Sequence, residues 1–216
     1  MKKQVILIMS FVLLQIMVFA QPASKELEAA VVKLDQATGV KDYQGLADRF
    51  LKIAGSEKKN WLAWYYAAFC NAKTGMLYET DGEKIEPFTD KAEEQAKIAL
   101  ALLDTAKQKE ELVEVYCVFY MLNRAKVFIN PQTYGKFGMT AFTYSQRIQR
   151  LKPDNPRYLY LMGWEKYITP KNWGGDKTKA KELLNAALSK LNAVTVTGSY
   201  PHWGKTEAEA LLKKIK

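Results

Sequence analysis

Apolar residues recur three and four apart through most of this chain, the spacing of one helix face rather than of a strand. Leu27, Ala30, Val31 and Leu34 share a face after Ser24, which predicts a helix over 24–37 with Ser24 as N-cap. Gly39 breaks that run, and Leu46, Phe50 and Ile53 mark a second helix ending near Gly55. Asn60 opens an aromatic helix beginning Trp61-Leu62-Ala63-Trp64 that stops at Gly75. Asp90 with Glu93 forms a capping box for a helix reaching about Ala106. Residues 109–129 read as a long apolar helix closed by Asn130-Pro131. A loop to Gly138 precedes a helix that passes Tyr144 and Ile148 and stops before Pro153. Pro156 suits the first turn of the next helix, which runs through Tyr167. Asp176 caps another ending near Leu191, and residues 205–215 close the chain with Ala208, Leu211 and Leu212 inward. Val194–Thr197 is the one strand-like stretch, so the fold class is all-α.

A finer pattern ties four of these helices together. Leu46/Phe50/Ile53, Ala92/Ala96/Ala99, Ala141/Ser145/Ile148 and Ala180/Leu184/Ala187 share one spacing. Each set ends five residues before a helix-end marker: Lys58, Asp104, Pro153 or Asn192. Small residues at these steps let a neighbouring helix approach closely, as stacked helical hairpins require. This predicts a single repeat domain over 21–216.

The first twenty residues are a different kind of sequence. Met1-Lys2-Lys3 precedes an apolar run to Phe19 interrupted by Ser10 and Gln15, with Ala20 before Gln21-Pro22. That is the form of a secretory signal over 1–20, cleaved after Ala20, and it predicts an exported, periplasmic protein with no stable membrane span. Losing Lys2 and Lys3 lowers the charge surplus from +9 to +7, spread along the chain without a dense basic run. A solvated surface accounts for it, and nucleic acid is not expected as a partner. Cys70 and Cys117 both stand inside apolar helical stretches, where packing as small hydrophobes is the expectation and a disulfide the alternative.

These hairpins resemble the tetratricopeptide repeat. Trp64-x-x-Ala67-Ala68 and Leu159-x-x-Met162-Gly163 look like its first helix, and Ala141 through Pro153 like its second. The likeness covers roughly residues 40–192 and implies a right-handed superhelix of about four hairpins plus a closing helix. The repeats are degenerate. Their markers lie 46, 49 and 39 residues apart, against about 34 for the family unit. The excess is assigned to enlarged loops within each hairpin: Met76–Thr89, Asn130–Gly138 and Thr169–Gly175.

In that family the first helices line a concave groove for extended peptides. The resemblance places Tyr65, Phe69, Arg157, Tyr160, Trp164 and Tyr167 there; the middle hairpin transfers too loosely, with Arg124 its one candidate. The expected role is a scaffold binding a protein or peptide segment in the cell envelope. The alternatives are a glycan-binding or enzymatic site on the loop edge at Tyr78, Tyr134 and Trp173, or a structural subunit that self-associates as a homo-oligomer. Catalysis is not expected, nor a cofactor or metal. His202 is the only histidine, and no His-Glu-x-x-His, Gly-x-Ser-x-Gly or cysteine-ligand spacing occurs. Gly204-Lys205-Thr206 copies the end of a phosphate-binding loop, but its spacing from Gly198 is too long by one residue.

Overall fold

The computed structural model describes residues 24–79, 81–193 and 198–215; the expected leader and the strand-like Val194–Thr197 lie outside them. The array is all-α. Its helices are α1 (Lys25–Leu34), α2 (Val40–Ser56), α3 (Trp61–Leu77), α4 (Gly82–Ala101), α5 (Lys109–Lys126), α6 (Tyr134–Leu151), α7 (Pro156–Ile168), α8 (Lys177–Ala193) and α9 (Lys205–Lys214). Consecutive helices pack into hairpins, and α3 also packs against α5, so the first helices of neighbouring hairpins stand side by side. Among the described residues no helix is long and apolar enough to cross a membrane.

Local chemistry sets most of the boundaries. Ser24 Oγ accepts from the Leu27 amide at 3.2 Å, Asn60 Oδ1 from Leu62 at 3.1 Å, and Asn155 Oδ1 from Tyr158 at 3.0 Å. Each satisfies an amide that the first helical turn leaves without a partner. The repeated small residues are buried, as the spacing required: Ala92, Ala96 and Ala99 on α4, Ala180 and Ala187 on α8. Gly163 of α7 shows how close the approach is. A Cβ there would stand 2.8 Å from Leu184 Cγ.

Two starts differ from expectation. Helix α4 begins at Gly82, capped by Asp81, whose side chain accepts from the Lys84 amide. Asp90 is therefore inside the helix, where it and Glu93 bind Lys126 Nζ of α5 at 2.8 and 2.7 Å. Helix α6 begins at Tyr134, directly after a 3-10 turn at Pro131–Thr133, so Gly135 and Gly138 are helical. Two of the three expected enlarged loops, Met76–Thr89 and Asn130–Gly138, are thus largely extra helical turns, because Asp81 and the 3-10 turn supply earlier starts than the apolar periodicity shows. Thr169–Gly175 remains a connection between α7 and α8 with a short 3-10 turn at Lys171–Trp173. Cys70 and Cys117 are both free and fully buried, and burial pushes both thiols well above their ordinary range.

Candidate functional site

The face of α3 and α7 that the repeat resemblance assigns to a peptide is occupied by the chain itself. Residues 199–208 cross it. The Trp203 ring lies 4.8 Å from the Phe69 ring and 6.1 Å from that of Tyr160, and its indole N–H donates to the Tyr65 hydroxyl at 2.7 Å. Tyr66 donates to the Ser199 carbonyl at 2.8 Å, and Lys73 pairs with Glu207 at 2.9 Å. Tyr65, Phe69 and Tyr160 are consequently buried, and burial pushes the two phenols above their usual range.

Arg157, also placed in that groove, is buried against Glu114 of α5. Its Nε donates to both Glu114 oxygens at 3.1 and 3.0 Å, and Asn155 donates to the same carboxylate at 2.7 Å. Burial alone would lower the Arg157 pKa; the charge and hydrogen bonds of Glu114 more than offset it and raise it. These residues hold the array together. A groove lined by Tyr65, Phe69, Arg157 and Tyr160 is closed to a peptide in this structure, because an indole and a buried ion pair fill it.

The opposite situation holds at the hairpin edge, where the first helices end. Three of them finish on apolar residues that stay at the surface: Leu77 of α3, Phe128 just past α5, and Ile168 of α7, with Phe128 41 % exposed. Between them is a cleft of about 300 Å³ walled by Met76, Ala125, Phe128, Trp164 and Ile168, with Arg124 and Glu79 as its charged members. Trp164 and Arg124 are thus the groove candidates that line this cleft. Tyr167 lies instead beside Lys177, whose ammonium is 5.9 Å from its ring.

The loop-edge candidates divide similarly. Tyr134 and Trp173 come from different hairpins and meet edge to face at 6.4 Å, exposed by 43 % and 66 %. Tyr78 packs on Phe88 at 5.7 Å, covering the entry to α4. At the cleft, Arg124 Nε is 2.6 Å from Glu165 Oε2, off the line of its N–H, so the buried Nε makes no hydrogen bond. The same carboxylate oxygen accepts from the Tyr120 hydroxyl at 2.7 Å.

Phe128 and Ile168 were not singled out from sequence. Their signal is positional: Val127-Phe128-Ile129 stands before Asn130-Pro131, and Tyr167-Ile168 before Thr169-Pro170. Helices usually end on polar or glycine residues, so apolar pairs at equivalent ends point to a shared exposed surface. His202 is remote from this cleft. Its ring nitrogens contact the Tyr200 carbonyl at 2.8 Å and Asp35 at 2.9 Å, tying the C-terminal segment to the end of α1.

No family model and no curated protein matches the chain. Among solved structures it is similar to the HusA haemophore from Porphyromonas gingivalis, with a TM-score of 0.73 and 28 % sequence identity over 88 % of this chain and 90 % of that one.

Proposed function

We propose that this protein is an exported carrier that takes a haem-type tetrapyrrole into the apolar cleft at the hairpin edge. The observation that carries the reading is the cleft itself: Phe128, Trp164, Ile168 and Met76 are kept open at helix ends while the groove face is filled. The similarity to a haemophore along most of both chains supports it. A planar macrocycle suits such a surface because indole and phenyl groups offer apolar area and favourable ring packing. A cleft of this volume takes one side of a macrocycle and leaves the other at the surface. To the iron, the cleft residues offer the Met76 thioether, whereas His202 is held elsewhere by Asp35. Affinity in this reading comes from the ring.

Within the same proposal the scaffold is a degenerate tetratricopeptide-like array over 21–216, and the leader is removed after Ala20 to leave a periplasmic or released protein. Its role is binding rather than catalysis. A protein partner docks outside the filled groove.

The test is a titration of the protein lacking residues 1–20 with haemin and with iron-free protoporphyrin IX, following the Soret band and tryptophan fluorescence. Saturable binding of both is expected, and the Phe128→Ala/Trp164→Ala double variant should lose at least about tenfold in affinity, as two aromatic contacts imply. No saturable binding by the wild type refutes the function. Unchanged affinity in a double variant with native circular dichroism refutes the placement.

A further inference from the structure

This inference rests on the tetrapyrrole reading and narrows it. The cleft is apolar except at Arg124 and Glu79, and the two differ in setting: Glu79 is exposed, whereas the Arg124 side chain is 12 % exposed. The Arg124 Nε faces Glu165, whose Oε2 is also held by Tyr120. The terminal nitrogens of the guanidinium donate to none of the described residues. Other cations at this edge are engaged: Lys126 by Asp90 and Glu93, Lys166 by the Gly174 carbonyl.

A guanidinium fork kept in place by a neighbour on its Nε side presents its other edge for paired hydrogen bonds to a carboxylate. We propose that Arg124 receives a side-chain carboxylate of the bound tetrapyrrole, so the cleft selects macrocycles bearing free acid groups over neutral ones. Glu165 and Tyr120 are positioning residues: the Glu165 carboxylate, itself held by Tyr120, anchors the Nε side of Arg124 by ion pairing without touching the ligand. The Glu165 charge is offset by Arg124 and the Tyr120 hydroxyl, and that of Glu79 is screened by water. The apolar wall then contributes to all tetrapyrroles alike, and the discrimination comes from Arg124.

The experiment compares iron-free protoporphyrin IX with its propionate diamide, which has the same ring and no acid group. Wild type should favour the diacid by about tenfold or more, the size of a charge-assisted hydrogen-bonded contact. Arg124→Met should bring diacid affinity down to that of the diamide, with native circular dichroism reporting an intact fold. Arg124→Lys should keep part of the preference, because a point charge replaces the fork. Equal wild-type affinities, or a preference that persists in Arg124→Met, overturns the assignment of Arg124 while leaving the tetrapyrrole reading standing. Binding of neither compound overturns the tetrapyrrole reading itself.

Discussion

Two aromatic surfaces of this molecule come from the same helices and end up with opposite fates. Towards one face, α3 and α7 present Tyr65, Phe69 and Tyr160, and the C-terminal segment covers them with Trp203. At their far ends the same two helices present Met76, Trp164 and Ile168, which are only partly buried and wall an open cleft. Composition does not separate the two surfaces. What separates them is whether a partner within the chain can reach. Residues 199–208 lie against the middle of α3 and α7, while the hairpin edge stands beyond them. An aromatic surface is a candidate for binding only after the chain's own use of it has been subtracted.

The contrast can be broken most forcibly at Trp203. Trp203→Ala should cost about 3–5 kcal/mol, as for a buried large aromatic, and chemical denaturation measures it. It should also expose Tyr65 and Phe69 to solvent quenchers; an unchanged midpoint would mean that the segment merely rests on the groove. Next in size is the closeness of the scaffold. Gly163→Ala drives a methyl towards Leu184 at 2.8 Å and should destabilise by about 1–3 kcal/mol, read from a thermal melt.

Acid acts on one side of the comparison. Burial raises the pKa of Glu207, but the charge of Lys73 and its hydrogen bond more than offset that, leaving it below its ordinary 4.5. The pair therefore stabilises the fold above that value, and its contribution is lost as pH falls through the lower folded value. Glu207→Gln should flatten this acid limb in a pH series of melting temperatures; an identical limb would remove the pair from the account. The smallest stability change belongs to the open surface. Phe128→Ala should alter stability by about 1 kcal/mol, well below the cost at Trp203, since about two-fifths of the residue is already exposed. A larger loss would show that Phe128 is part of the core.

The frame of this fold was legible in the sequence because packing repeats. The alanine steps of α4 and α8, the helix starts at Ser24, Asn60 and Pro156, and the closing helix all follow from local spacing or local hydrogen bonds. The start of α4 was not legible, since Asp90 and Glu93 imitate a capping box while serving Lys126 across the hairpin. The filled groove was hidden for the same reason: Trp203 meets Tyr65 across 138 positions of sequence. Of the site, Trp164 was reached through the repeat pattern. Arg124 was offered there as the middle hairpin's candidate, whereas Phe128 and Ile168 join the two in a cleft only once α5 and α7 are placed side by side.

The grip of the C-terminal segment has a consequence for how the molecule comes apart. A solenoid with only neighbour contacts frays from its ends, one hairpin at a time. Here Tyr66 meets Ser199 across 133 positions, Lys73 meets Glu207 across 134, and Asp35 meets His202 across 167. The last turns of the array are thereby fastened to its first two hairpins. Neither terminus can peel away without breaking the other's contacts, so melting should be a single cooperative step rather than a graded unzipping. Closing so distant a loop also makes refolding slower than that of an open array of the same helices.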